Sequence, residues 1–373
     1  MPLSLVFYPS ASFIQIAYKW KLGTKMHADI QRYYSDARRF ALSKPIPHMH
    51  AQCPDTIAFY LAAKDLVLGS GWHWLRYLYK LPGPDANMLK FANLCVRAER
   101  RLPGLGVRYI NELAHLGGPE RDERRYEQML QLFAEVFVIS RILMMPWGDT
   151  AQFFFEPLGA NRLRPEFRVV DIDGAYNFEV KSPSLLSHQR LRAAANVQLP
   201  VRITKEFTAS VQMKNPGALL PRDNPVKDFL VSADQKFSGF SRDGGANVLV
   251  IVWDDFIYEP IGSLVSDFSG LLTGNSFYRL DGEAVIFENV DAVVCARQMN
   301  VFQEAFAERP LPDDRADMFD LSRNPLTPNV FIPTPWGNAC PQFVLESLGA
   351  LLHDDERLQT IAEYRIPEYI FYV

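Results

Sequence analysis

Residues 164–183 read Arg164-Pro165-Glu166-Phe167-Arg168-Val169-Val170-Asp171-Ile172-Asp173-Gly174-Ala175-Tyr176-Asn177-Phe178-Glu179-Val180-Lys181-Ser182-Pro183. The runs 167–172 and 175–181 alternate and flank Asp173-Gly174, a pair that favours a two-residue hairpin turn. With those two residues as the turn, Glu166 lies opposite Lys181 and Arg168 opposite Glu179. Directly opposed residues share a face of a sheet, so Glu166, Glu179 and Lys181 point one way and Asp171 points the other. A four-residue loop keeps this parity. A three-residue loop inverts it and brings Asp171 to the side of Glu179. The strand Glu179-Val180-Lys181 thus sets an acid and an ammonium side by side, an arrangement that can hold a divalent metal next to a water or a phosphate. On a solvated edge strand the same letters would carry no chemistry.

Working outward, residues 121–145 read as one long helix, charged at its start and almost wholly apolar later. It carries Glu135 within Leu132-Phe133-Ala134-Glu135-Val136-Phe137. A carboxylate among such neighbours is costly to bury unless it is paired or bound to a cation. Strands are predicted at 152–156 and 248–253, with a further candidate at 290–295. Residues 184–225 read as irregular, with one strand near 207–213. Pro225 opens a helix to about 240, with Gly244-Gly245 beyond its end. Residues 1–120 look helical and aromatic, with helices at 56–68 and 87–101. Residues 301–373 are proline-containing, with one clear helix over 342–352.

Length and composition fit two or three domains, or one core with substantial extensions, and are enough to bury a sizeable core. The longest apolar runs are too short to cross a bilayer. The apolar first eighteen residues precede Lys19, Lys21 and Lys25, the wrong order for a secretion signal. The 4 cysteines lie far apart with no Cys-x-x-Cys pair, which points to a reducing, cytoplasmic setting and away from a structural zinc site. The net charge of −4 hides a division: Asp254 onward has 20 acids, 7 arginines and no lysine, whereas the first 253 residues hold 32 bases and 23 acids. Eight of those bases fall between Lys181 and Lys227, against Glu206 and Asp223. A basic field beside a metal site suits a polyanion. The acidic C-terminal part would pair with another protein or shield that basic surface.

Pro165-Glu166 followed by Glu179-Val180-Lys181 resembles the motif of the PD-(D/E)xK nuclease superfamily, with its acid after proline and its acid-x-lysine on the next strand. The order of elements over roughly residues 121–300 is also similar. The resemblance implies an α/β fold with a restriction-endonuclease-like core, a mixed central sheet flanked by helices. Around it stand a helical region at 1–120 and an acidic C-terminal extension at 301–373. It implies a metal-dependent nuclease acting on nucleic acid, DNA above all, with Mg2+ or Mn2+ as cofactor. Glu166 and Glu179 would be metal ligands, joined by Glu135, and Lys181 would position water or phosphate. Asp171 would be the substitute for Glu166, and Gln235 and Lys236 on the following helix would make contacts beside the site. One departure is that Glu166 stands where the family has aspartate. The alternative is a nuclease fold without activity that serves as a nucleic-acid-binding or assembly module.

Other motifs weigh less. His48-Met49-His50 with Cys53 has metal-binding residue types in a loop-like context. Gly69-Ser70-Gly71-Trp72-His73-Trp74 lacks the lysine of a phosphate loop and the spacing of a serine nucleophile elbow, and reads as a helix break. The aromatics of 57–80 would pack a core or stack bases, with packing favoured.

Overall fold

The computed structural model describes residues 54–312, 315–320, 328–365 and 370–371. The His48-Met49-His50/Cys53 motif and the first eighteen residues lie outside them. The chain divides into Met1–Glu120 and Arg121–Val373.

In the first unit, α1 (Pro54–Gly69), α2 (Arg76–Lys80), α3 (Ala86–Arg101) and α4 (Leu105–His115) pack together. Asp85 caps α3 by accepting from the Met88 amide at 2.9 Å, and a side chain at Gly106 would strike the Cys95 carbonyl, so α4 lies close on α3. Of the aromatics of 57–80, Phe59, Tyr60 and Tyr79 are buried and build a core with Phe91 and Tyr109, whereas Trp72 and Trp74 are half-buried and Tyr77 is exposed. His73 is buried too, its ring between the Leu113 carbonyl (2.9 Å) and the Leu75 amide (3.1 Å), and Ser70 donates to the Val67 carbonyl. The Gly69–Trp74 stretch is therefore a helix ending followed by a packing face.

The second unit opens with α5 (Glu123–Met144), whose first amides are capped by Asp122. Then follow β1 (Gln152–Phe155), β2 (Phe167–Asp171), β3 (Gly174–Lys181), α6 (Leu186–Ala194), β4 (Val197–Gln198), α7 (Lys205–Lys214), α8 (Asp223–Phe237) and β5 (Asn247–Trp253). Next come α9 (Tyr258–Val265), the small ribbon β6 (Arg279–Leu280) and β7 (Glu283–Ala284), β8 (Ala292–Arg297), α10 (Met299–Phe306), β9 (Asn329–Pro333), α11 (Gln342–Ser347), β10 (Ala350–Leu352), α12 (Glu356–Gln359) and β11 (Ile370–Phe371). The central sheet has seven strands in the order β1-β2-β3-β5-β8-β9-β10. β1, β2 and β3 form an antiparallel meander, β3, β5 and β8 run parallel, and β9 turns antiparallel to β8. The protein is thus α/β, with a mixed central sheet flanked by helices.

Packing separates the two faces of this sheet. α8 lays Val226, Leu230, Ala233 and Phe237 into a core with Leu249, Ile251, Trp253, Val293 and Cys295. In the parallel register Glu179 neighbours Leu249 and Lys181 neighbours Ile251, so both project from the face that α8 covers. No α5 residue belongs to that core. α5 instead brings Phe133 and Phe137 against Phe302 of α10.

Four sequence expectations change. The hairpin turn is Ile172-Asp173, not Asp173-Gly174: Asp171 pairs with Gly174 and Arg168 with Asn177. Gly174, at φ +151°, is used for a close approach, because a side chain there would collide with the Gly244-Gly245 backbone. The strand expected near 207–213 is the helix α7, started by Thr204 accepting from the Phe207 amide. The helix expected over 342–352 stops at Ser347. Gly349, at φ +59°, redirects the chain into β10. Residues 301–373, set apart in the sequence as an extension, supply β9 and β10 to the same sheet.

Candidate functional site

The turn moves by one residue and each cross-strand partner by two, so parity is kept and the side chains still sort as the alternation requires. Carried one step beyond Phe167, the observed register sets Glu166 across from Glu179. The Glu166 amide donates to Glu179 Oε2 at 3.2 Å, and the Glu156 amide to the Glu166 carbonyl at 3.0 Å. Glu179 is fully buried. β3 is a central strand, so the solvated-edge explanation of Glu-x-Lys does not apply here.

Two ammonium groups meet the Glu179 carboxylate. Lys181 Nζ is 2.6 Å from Glu179 Oε1 and Lys236 Nζ, from the last turn of α8, is 2.5 Å from the same oxygen. Lys236 Nζ also stands 3.9 Å from Glu166 Oε1, so both carboxylates converge on one cationic point. Burial raises the Glu166 carboxyl above its ordinary value and the Glu179 charge raises it further, while the Lys236 and Lys181 charges pull the other way without cancelling the shift.

The remaining candidates fall elsewhere. Asp171 accepts from the Gly148 amide (2.8 Å) and the Ile172 amide (2.8 Å), so it serves the hairpin and the end of the α5 connection rather than replacing Glu166. Gln235 is exposed, and its carbonyl receives the Asn161 side-chain amide at 2.6 Å. Glu135 lies half-buried on α5. The three-acid ligand set of Glu135, Glu166 and Glu179 is not assembled: among the described residues no three histidine, cysteine, aspartate or glutamate side chains are grouped to hold a metal. Two carboxylates are still a suitable donor set for Mg2+, which keeps several waters and is held through one or two carboxylates together with substrate phosphate. The convergence of Glu166 and Glu179 on the Lys236 ammonium marks where such a cation fits.

Lys236 therefore competes with an entering cation, since like charges about 4 Å apart repel by up to about 4 kcal/mol at a near-surface dielectric. Lys236→Met is expected to tighten Mn2+ binding about tenfold, equivalent to about 1.4 kcal/mol. Electron paramagnetic resonance titration of free Mn2+ reads this directly, and an unchanged Kd would remove the ammonium from the cation position.

The basic stretch between Lys181 and Lys227 is less open than its composition suggests. Arg190 pairs with Glu123, Arg202 with Asp223 and Lys227 with Asp228. Arg192 and Arg222 are buried against Asp254 and Glu259. Part of the acidic C-terminal region thus neutralises part of the basic region from inside the fold. Sequence reasoning missed this network because its members come from four separate elements or loops; the only signal was a pair of acids just after an apolar strand.

Cys95 and Cys295 are buried free thiols, and Cys340 is partly buried. No helix among the described residues is long and apolar enough to cross a membrane. No protein-family model matches this chain, and no curated protein or solved structure is significantly similar to it.

Proposed function

We propose that the second unit is a metal-dependent nuclease that hydrolyses phosphodiester bonds, with DNA as its substrate and a restriction-endonuclease-like core as its fold. The observation that carries this reading is the convergence of Glu166, Glu179, Lys181 and Lys236 on one face of β2 and β3. The succession α5, three antiparallel strands and then, after an insertion of α6, β4 and α7, the helix α8 and a parallel strand supports it, being similar to the order of elements in that superfamily. Glu166 and Glu179 would hold Mg2+ or Mn2+. Bound there, the ion would polarise a phosphate and lower the pKa of a water. Lys181, held 2.6 Å from Glu179, binds phosphoryl oxygens and offsets the charge that grows on them as the bond to phosphorus breaks. Burial of Glu179 keeps bulk water from screening these contacts.

A second reading, a nuclease fold kept as a nucleic-acid-binding or assembly module, is favoured by one observation: two lysines balance two carboxylates without any added cation. Cleavage of plasmid, linear duplex and single-stranded DNA with Mg2+ or Mn2+ separates the two. Cation-dependent cleavage is expected, falling about a hundredfold to a thousandfold in Lys181→Ala. Undiminished cleavage by that variant would sink the site, and no cleavage by the wild type would leave the binding module.

A further inference from the structure

The segment 156–166 between β1 and β2 is a fixed loop that ends on Glu166. The Gly159 amide donates to the Leu163 carbonyl (2.9 Å) and the Arg162 amide to the Gly159 carbonyl (2.9 Å). Asn161 binds it to the end of α8, donating to the Gln235 carbonyl (2.6 Å) and to Ser238 Oγ (3.1 Å), next to Lys236. The Ala160 amide adds a bond to the Gly239 carbonyl at 3.1 Å. Two of its residues, Glu156 (φ +45°) and Arg162 (φ +64°), hold left-handed backbone without being glycine, a strained conformation that the surrounding bonds must sustain.

What this anchored loop offers to solvent is unusual for a connection. Leu158 is 60% exposed and Leu163 40% exposed, alternating along the loop with exposed Arg162 and Arg164. Neither arginine makes an ion pair with a carboxylate among the described residues; Arg164 donates only to the Glu156 carbonyl, at 3.0 Å. The loop thus adds two unneutralised guanidiniums to a site whose own four charges balance. Apolar side chains between cations find no partner on the outside of a duplex, where phosphates face them, but they can lie against the faces of unstacked bases.

We infer that the 156–166 loop is a substrate-binding element for nucleic acid with unpaired bases. Arg162 and Arg164 take backbone phosphates flanking the position that Glu166 serves, and Leu158 and Leu163 cover exposed base faces. This rests on the nuclease reading for the location of the reacting phosphate, but binding by the loop is measured independently of cleavage.

Fluorescence anisotropy of the full chain with a labelled single-stranded DNA, the matching duplex and a single-stranded RNA, in Ca2+ and in EDTA, tests it. Wild type is expected to prefer the single strands over the duplex by about tenfold or more. Arg162→Ser/Arg164→Ser should weaken binding to every oligonucleotide and lower the salt slope by about 1.4, two phosphates at about 0.7 each for single strands. Leu158→Ser/Leu163→Ser should lose about tenfold for single strands and leave duplex affinity unchanged. Melting curves check that both variants are folded. Because these side chains are exposed, a variant with altered melting is replaced by Arg162→Gln/Arg164→Gln or Leu158→Ala/Leu163→Ala and read the same way. Unchanged affinity and salt slope in the arginine variant overturn the loop as a binding element, and equal losses on single strand and duplex in the leucine variant overturn the base contact. If cleavage depends on Lys181 while these variants bind normally, the nuclease reading stands and the loop does not. If the loop governs binding but nothing is cut, the loop stands and the nuclease reading falls.

Discussion

Glu179→Gln is expected to lower cleavage by about a thousandfold or more, since it removes a ligand charge and changes the partner of both lysines at once. Glu179 accepts from the Glu166 amide, from Lys181 and from Lys236, and so holds all three together. Glutamine keeps the shape but presents an amide donor to two ammoniums. Both lysines retain some exposure and can turn to water, so the stability cost is modest, about 1–2 kcal/mol. Three measurements belong together: the cleavage rate, Mn2+ titration by electron paramagnetic resonance, and a thermal melt. A folded variant that binds no Mn2+ and does not cut DNA is the expected result, and a folded variant that still cuts at the wild-type rate excludes Glu179 from the reaction. Asp171→Asn is the matched control. Its carboxylate serves the Gly148 and Ile172 amides, so it should loosen the hairpin and leave cleavage intact. The raised Glu166 carboxyl adds a pH signature. It must lose its proton to bind a cation, so metal affinity should fall as pH drops through a midpoint above the ordinary glutamate value of about 4.3.

The convergence of these groups was legible in the sequence because strand alternation has a period of two. Parity survives any even error in register, and the error here was even: the turn moved from Asp173-Gly174 to Ile172-Asp173, yet Glu166 and Glu179 stayed on one face. What misled was the glycine. Asp-Gly is a strong turn signal, but Gly174 is needed in the strand, where it lets the Gly244-Gly245 turn approach. Lys236 was legible only as a residue on the right helix, since its helical position names the face but not the partner. α7 was misread because its Thr, Val and Phe residues suit a strand. Its cap at Thr204 was the better signal, and its largely exposed sides give no core stripe to read. The buried Arg192–Arg222–Asp254–Glu259 network was illegible for a different reason. Each member looks like a surface charge locally, and only the fold brings α6, the start of α8 and the end of β5 to one place.

That network sets the second large expectation, Glu259→Gln. Glu259 is fully buried and carries two oxygens with separate duties. Oε1 takes the Gln198 side-chain amide at 2.7 Å with His188 Nε2 at 3.6 Å, and Oε2 takes Arg192 at 2.7 Å and the Trp253 indole N–H at 3.0 Å. Arg192 also stacks on Phe256, its guanidinium 3.6 Å from the ring centroid, and Arg222 reaches Asp254 at 3.4 Å and donates to the Ser184 carbonyl. The glutamate therefore fastens α6 and β4, the segments beyond β3, to the end of β5. Burial by itself would raise its carboxyl, but the nearby His188 ring and the Arg192 and Arg222 charges override this and bring it down to about 2. Against an unfolded value of about 4.3, that difference is worth on the order of 3 kcal/mol. A folded value below the unfolded one means that this stability is fully present above about pH 4.3 and is lost as pH falls through about 2. Removing the charge at neutral pH also leaves two buried arginines with Asp254 as their one remaining acid in the network, so a loss of about 3–5 kcal/mol follows. For a unit of this size that corresponds to a midpoint lower by about 10 °C. Thermal melts of wild type and Glu259→Gln from pH 7 down to 2 test both parts: the variant starts lower and lacks the steep acid slope below pH 4. A midpoint within about 2 °C of wild type, or an unchanged acid slope, would show that the network carries little of the fold's stability. Cleavage by the folded fraction of the variant at low temperature should be retained, because Glu259 bonds to Gln198, Arg192 and Trp253 and to none of Glu166, Glu179 and Lys181. The two variants therefore separate what holds the molecule from what would do its chemistry: Glu179→Gln keeps the fold and loses the reaction, and Glu259→Gln weakens the fold and keeps it.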